Sequence, residues 1–242
     1  MYLLFKSLIA VHVVFGTVGL VSFWIPVFSR KGSVIHRVSD RVFANSILGA
    51  GSIAILLALC TLYDPLGTHP HLTDPAFVRS FFGVLMLHLG VLTVNLAWYG
   101  RAVLKNKADH AGNRSRLNLG LQSLLGLTSL ACVAEGLRTG ELLIVAASVI
   151  GFATVATNLA HMLNPSPPGK AWLREHVKGI VGAGISVYTA FFAFGAVRVM
   201  PELALNPGLW AIPLAVGLGL ILYHYRKIGQ SGSRLGKLAS GG

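Results

Sequence analysis

Histidine is the side chain best placed to do chemistry in an otherwise apolar chain, and this sequence carries nine of them. A neutral imidazole can ligate zinc or haem iron, or move a proton near neutral pH. His12 is followed by Gly16 and Gly19, at i+4 and i+7, so ring and glycines share one helix face. Such a face suits a close helix–helix contact through small residues. It equally suits a planar cofactor lying on glycine beside its ligand. His88 has Asn95 seven residues on, with Tyr99 one turn further. Counted from the helix ends at about 1.5 Å per residue, His12 and His88 lie at matched depth, roughly 15 Å in. Two imidazoles so placed on different helices can hold one metal, or one haem iron from both faces.

A second group stands at the edges of apolar segments: His36, His161, His176 and His224, with Arg37, Arg41 and Lys178 close by in sequence. Boundary histidines with basic and aromatic neighbours also occur simply as snorkelling residues. His69 and His71, between Asp64 and Asp74, read as part of a solvated turn-rich loop. Cys60 and Cys132 fall in apolar helices and read as small buried hydrophobes. Two polar helix faces complete the inventory, Asn118-Gln122-Gly126-Ser129 and Gly151-Thr154-Asn158-His161.

These residues need elements to hold them, and the composition says which. Of 242 residues 54% are hydrophobic and 12% charged, whereas soluble domains carry about a quarter charged residues. Seven apolar runs, 3–28, 43–63, 77–100, 117–137, 141–162, 178–199 and 208–225, approach the roughly 20 residues that a membrane-crossing helix needs. The sixth closes on Arg198. The expected fold is therefore all-α, a polytopic bundle of about seven transmembrane helices. It forms one domain over residues 1–228, with a flexible cytoplasmic tail over 229–242. The first run is too long for a signal peptide and lacks its basic start and small-residue cleavage site.

The net charge of +12 is a topology signal. All of the 20 Lys and Arg residues except Lys6, Arg79, Arg138 and Arg198 lie on alternate loops and the tail. The positive-inside bias then puts the N-terminus outside and the C-terminus in the cytoplasm. Anionic lipid contact fits that distribution, and no nucleic-acid partner is expected. The expected location is a cell membrane crossed several times, of the bacterial inner-membrane kind.

Residues 8–45 and 170–200 resemble an uncharacterised bacterial membrane-protein family, domain of unknown function 2306. That family has an N-terminal helix with a His and a following Gly, then a Lys-Gly…His-Arg…Gly-Arg turn. Here His12, Gly16, Lys31, Gly32, His36, Arg37 and Arg41 match, with Asp40 where the family favours Gly. Its later His-Arg-x-Trp-Met-x-Arg run opens a helix ending in Arg. His176, Lys178 and Arg198 hold comparable places, without the Trp-Met pair. The resemblance implies a polytopic membrane protein whose cytoplasmic-face histidines and arginines matter, and no reaction. The histidine pattern is also similar, in general terms, to di-haem b561-like cytochromes.

Three functions follow as expectations. The first is a b-type haem protein moving electrons, with His12 and His88 at one site and His161 and His224 at another, Gly16 and Asn95 beside the ligands. The second is a zinc-dependent membrane hydrolase drawing ligands from His36, His161, His176 and His224. It lacks an HExxH motif, and Glu135 and Glu175 are its few possible bases. The third is a scaffold, carrier or assembly factor without cofactor. The partners expected are the lipid bilayer, a quinone or another membrane-complex subunit.

Overall fold

In lipid a backbone has no water to satisfy its N–H and C=O groups, so long apolar runs must fold as helices. In a computed structural model, which describes residues 2–195 and 207–239, the chain is all-α, with no strand among the described residues. Seven long helices carry it: α1 (Tyr2–Phe28), α2 (Val34–Tyr63), α3 (Pro75–Lys105), α4 (Arg116–Thr139), α5 (Leu142–Leu163), α6 (Ala171–Ala190) and α7 (Pro207–Ala239). Within α3, Arg79–Leu85 is π-helical. Five of these, α1 to α5, are long and apolar enough to cross a membrane.

Their ends follow from local chemistry. The Ser33 hydroxyl accepts from the His36 N–H, 3.2 Å, to start α2. Asp74 accepts from the N–H groups of Ala76 and Phe77 ahead of α3, where Pro75 takes the first turn without needing a donor. Gly140, at φ 75°, stops α4 in the left-handed conformation that glycine adopts without strain.

Three boundaries differ from the apolar runs. α2 and α6 begin earlier, because their polar first turns are helical too, so His36 and Asp40 sit on helix rather than loop and His176 stands beyond the first turn of α6. α7 continues to Ala239, over most of the segment expected as a tail. Arg198 lies outside the described residues.

α3 is the central helix, packed against α2, α4 and α6. α1 lies on α2, where a Cβ on Gly19 would collide with Ile47. The tightest crossing joins α3 to α6: a Cβ on Gly179 would stand 2.6 Å from the Gly100 Cα, so the two backbones touch. Phe23, Phe43, Ile47, Val91, Leu96 and Ile180 fill the core on this side. Leu3, Val14 and Val21 of α1 are 80%, 63% and 68% exposed, an apolar surface suited to lipid.

Candidate functional site

At the end of the bundle where α1 stops and α2 starts, the α1 helix leaves carbonyls without intrahelical donors. Lys31 and His36 supply them. The Lys31 ammonium donates to the carbonyls of Pro26, 2.6 Å, and Val27, 2.9 Å. The His36 Nδ1–H donates to the same Pro26 carbonyl, 3.1 Å. Gly32, at φ 79°, makes the turn that brings both residues back onto the helix end.

Across from them the His176 Nδ1–H donates to the Gly100 carbonyl, 2.9 Å, at the α3–α6 crossing. In both rings the backbone carbonyl fixes the tautomer and leaves Nε2 with its lone pair. The His176 Nε2 stands 4.0 Å from Asp40 Oδ1, too far for a hydrogen bond.

These residues wall a cavity of about 960 Å³ between α1, α2, α3, α6 and α7. Its walls carry eight Lys and Arg side chains against one carboxylate, Asp40, and three histidines, His36, His176 and His224. Phe23, Val27, Leu104, Val177, Ile180 and Val181 give it an apolar floor. Like charges gathered around a low-dielectric floor raise one another's energy and attract an anion. Burial and the neighbouring Lys227 hold the Lys31 ammonium below its ordinary pKa, with Asp40 opposing. Arg101 is steadied by a hydrogen bond to Asn45.

The other predicted residues separate. His12 donates from Nδ1 to the Ala50 carbonyl of α2, 3.0 Å, and the space beside Gly16 is open. His88 is fully buried, its Nε2–H donating to the Ala147 carbonyl at 3.1 Å and its Nδ1 facing the Thr128 hydroxyl at 3.2 Å. The two rings of the expected outer pair thus bond to different helices, and both His88 nitrogens are already engaged. His161 and His224 are likewise not brought together. His161 packs edge-on against His110, ring centroids 4.8 Å apart, while His224 lines the cavity.

Lys178 turns away from the cavity. It pairs with Glu175 at 2.5 Å and Thr157 at 3.2 Å, and Glu175 accepts from the Tyr99 hydroxyl at 2.9 Å. Asn95 joins Gln122 and Asn158 in a buried amide cluster. Among the described residues no three His, Cys, Asp or Glu side chains gather closely enough to hold a metal ion. At the far end the His69 ring lies tilted against Phe82, centroids 4.5 Å apart. Burial and then His71 lower the His69 pKa.

Asp40, Lys31 and Arg101 were not singled out from the sequence as site residues. Asp40 had a signal: it is the lone carboxylate of a basic turn, one helical turn after His36. Arg101 and Lys105 had none beyond charge. No protein-family model, no curated protein and no solved structure matches the chain.

Proposed function

We propose that this is a membrane-embedded binding protein of the carrier or scaffold class, whose basic cavity takes an anionic amphiphile. One observation carries the reading: eight cations and an apolar floor share one cavity with a single carboxylate. Guanidinium and ammonium groups fit a phosphate or carboxylate head, and Phe23, Ile180 and Val181 fit an apolar body. The positive-inside rule supports placing this end in the cytoplasm, with α6 and α7 as sixth and seventh crossings and the N-terminus outside. Of the residues resembling the domain of unknown function 2306, Lys31, Gly32, His36, Arg37, Arg41 and His176 fall on this cavity, while His12, Gly16 and Lys178 do not.

The test is native mass spectrometry of the purified chain offered phosphatidylglycerol and phosphatidylcholine. Phosphatidylglycerol is expected to stay bound and phosphatidylcholine to leave. Combining Arg37→Gln, Arg41→Gln and Arg101→Gln should remove that preference, since one charge-assisted hydrogen bond is worth about 1.5–3 kcal/mol, roughly ten- to a hundredfold in affinity. Equal retention of both lipids would sink the reading.

A second reading rests on the lone pairs that His36 and His176 keep at Nε2. Haem b is itself an anionic amphiphile, with two propionates on a flat apolar ring. In this reading its ligands come from His36, His176 and His224, and its propionates meet Arg37 and Arg41. A dithionite-reduced minus oxidised spectrum decides it: a sharp α-band supports haem, and a featureless spectrum removes it.

A further inference from the structure

Away from the cavity, α3, α4 and α5, joined at one end by α6, hold a column of polar side chains that is buried along its middle and half-exposed at its ends. At one end Ser80 and Arg138 bond Glu135. His88 follows, held between Thr128 and the Ala147 carbonyl. Next come Asn95, Gln122 and Asn158, and then Tyr99 with Glu175 and Lys178. From Ser80 to Tyr99 is 19 residues, about 28 Å of helix, against roughly 30 Å of hydrocarbon. The column therefore has the length of a membrane crossing, with titratable groups at both ends and in the middle.

Helix–helix adhesion alone would produce polar contacts like these. Two details go further. First, Asn95 Nδ2 and Asn158 Oδ1 are fully buried and have no hydrogen-bond partner. A donor and an acceptor left over in one amide cluster are what an internal water satisfies, and turning either amide only moves the deficit. Second, the Thr128 hydroxyl has one proton and two acceptors, the Leu125 carbonyl at 3.1 Å and His88 Nδ1 at 3.2 Å. When it turns to Leu125, Nδ1 is free to take a proton.

We infer that this column is a slow proton pathway across the membrane, with His88 as its central relay and the amide cluster as its water-holding station. A hydronium in the column gives its proton to His88 Nδ1 and is left as water, so one N–H bond forms and the ring becomes an imidazolium. The Nε2–H bond then turns from the Ala147 carbonyl to a second internal water and breaks, leaving hydronium on the far side, and reorientation of the neutral ring restores the start. Leu85, Leu125 and Ile144, all fully buried, exclude an open pore, so transfer waits on motion of the ring and hydroxyl. This inference is independent of what the basic cavity binds.

The test uses the full chain in liposomes containing a pH-reporting dye, with an inward proton drive from a valinomycin-set potassium potential. Proton uptake should exceed that of protein-free vesicles at least fivefold, without sodium leakage. His88→Gln keeps an amide to bond Ala147 and cannot carry the proton. Asn158→Leu removes the water station. Both, with unchanged helical circular dichroism, should fall to the protein-free rate. Uptake by the native chain no faster than in empty vesicles overturns the pathway whether or not either variant folds. Uptake that survives both substitutions overturns it as well.

Discussion

The basic cavity and the buried polar column lie on either side of α3 and handle polarity in opposite ways. In the column neutral amides, hydroxyls and an imidazole bond one another, and charge appears only in pairs such as Glu175–Lys178. In the cavity His36, His176 and Lys31 spend hydrogen bonds on backbone carbonyls, and the arginines face a common space. A group that satisfies its neighbours holds helices together. A set of like charges around one space raises its own energy and attracts an anion. The two regions meet at one joint. Tyr99 and Gly100 are adjacent on α3, as are Glu175 and His176 on α6, and the first of each pair serves the column while the second serves the cavity.

Gly179→Ala should break that joint and produce the largest effect. The new methyl meets the α3 backbone rather than a movable side chain. We expect about 1–3 kcal/mol of lost stability, seen as a lower Tm in detergent, together with lost phosphatidylglycerol retention. Gly120→Ala and Gly126→Ala, which place methyls in open space, should change neither. If Gly179→Ala lowers Tm and leaves lipid retention intact, the cavity does not depend on the joint.

Acidity separates the regions at the next level. Lys31 holds its proton less tightly than an exposed lysine, through burial and Lys227. A bound anion favours the charged form, so anion affinity should be full below the lowered Lys31 pKa. It should fall as pH rises through that pKa, by about tenfold, the worth of one charge-assisted bond. Lys31→Arg should flatten that loss in a titration of lipid binding, and an unchanged profile would remove Lys31 from the site. Smallest of all, His12→Leu gives up one hydrogen bond on a half-exposed face and should cost under about 1 kcal/mol. Loss of a haem spectrum in this variant would restore His12 as an iron ligand.

The apolar runs marked where every long helix would run, and the distribution of Lys and Arg marked one basic end. Which side chains meet was less legible, for a physical reason. Periodicity and length locate a residue along its own helix and on one of its faces. They do not say which neighbour that face meets. His12 and His88 were matched in depth from their helix ends and so looked like a pair, yet one is tied to α2 and the other to α4 and α5. His36 and His176, grouped from their places beside loops, do line one cavity, because loop-adjacent positions at one end have few places to go. His161 was grouped with them on the same logic and lies instead beside His110. Its ring is buried against the short His110–Arg114 turn between α3 and α4, a contact no spacing rule encodes.

The π-helical stretch Arg79–Leu85 sets an angular phase in α3. An α-helix turns about 100° per residue, and a wider π turn accommodates one residue more, so side chains on either side of it are offset by that angle relative to an unbroken helix. His88, Asn95 and Tyr99 lie beyond the stretch and keep their common line. Ser80 lies inside it and bonds Glu135. Deleting one residue between 79 and 85 would swing the opening turn at Pro75–Val78 by roughly 100° and carry Ser80 off Glu135, while the His88 contacts stayed as they are. Closure of the far end of the column is thus a matter of residue count in one stretch, and a shortened chain of otherwise identical residues would leave it open.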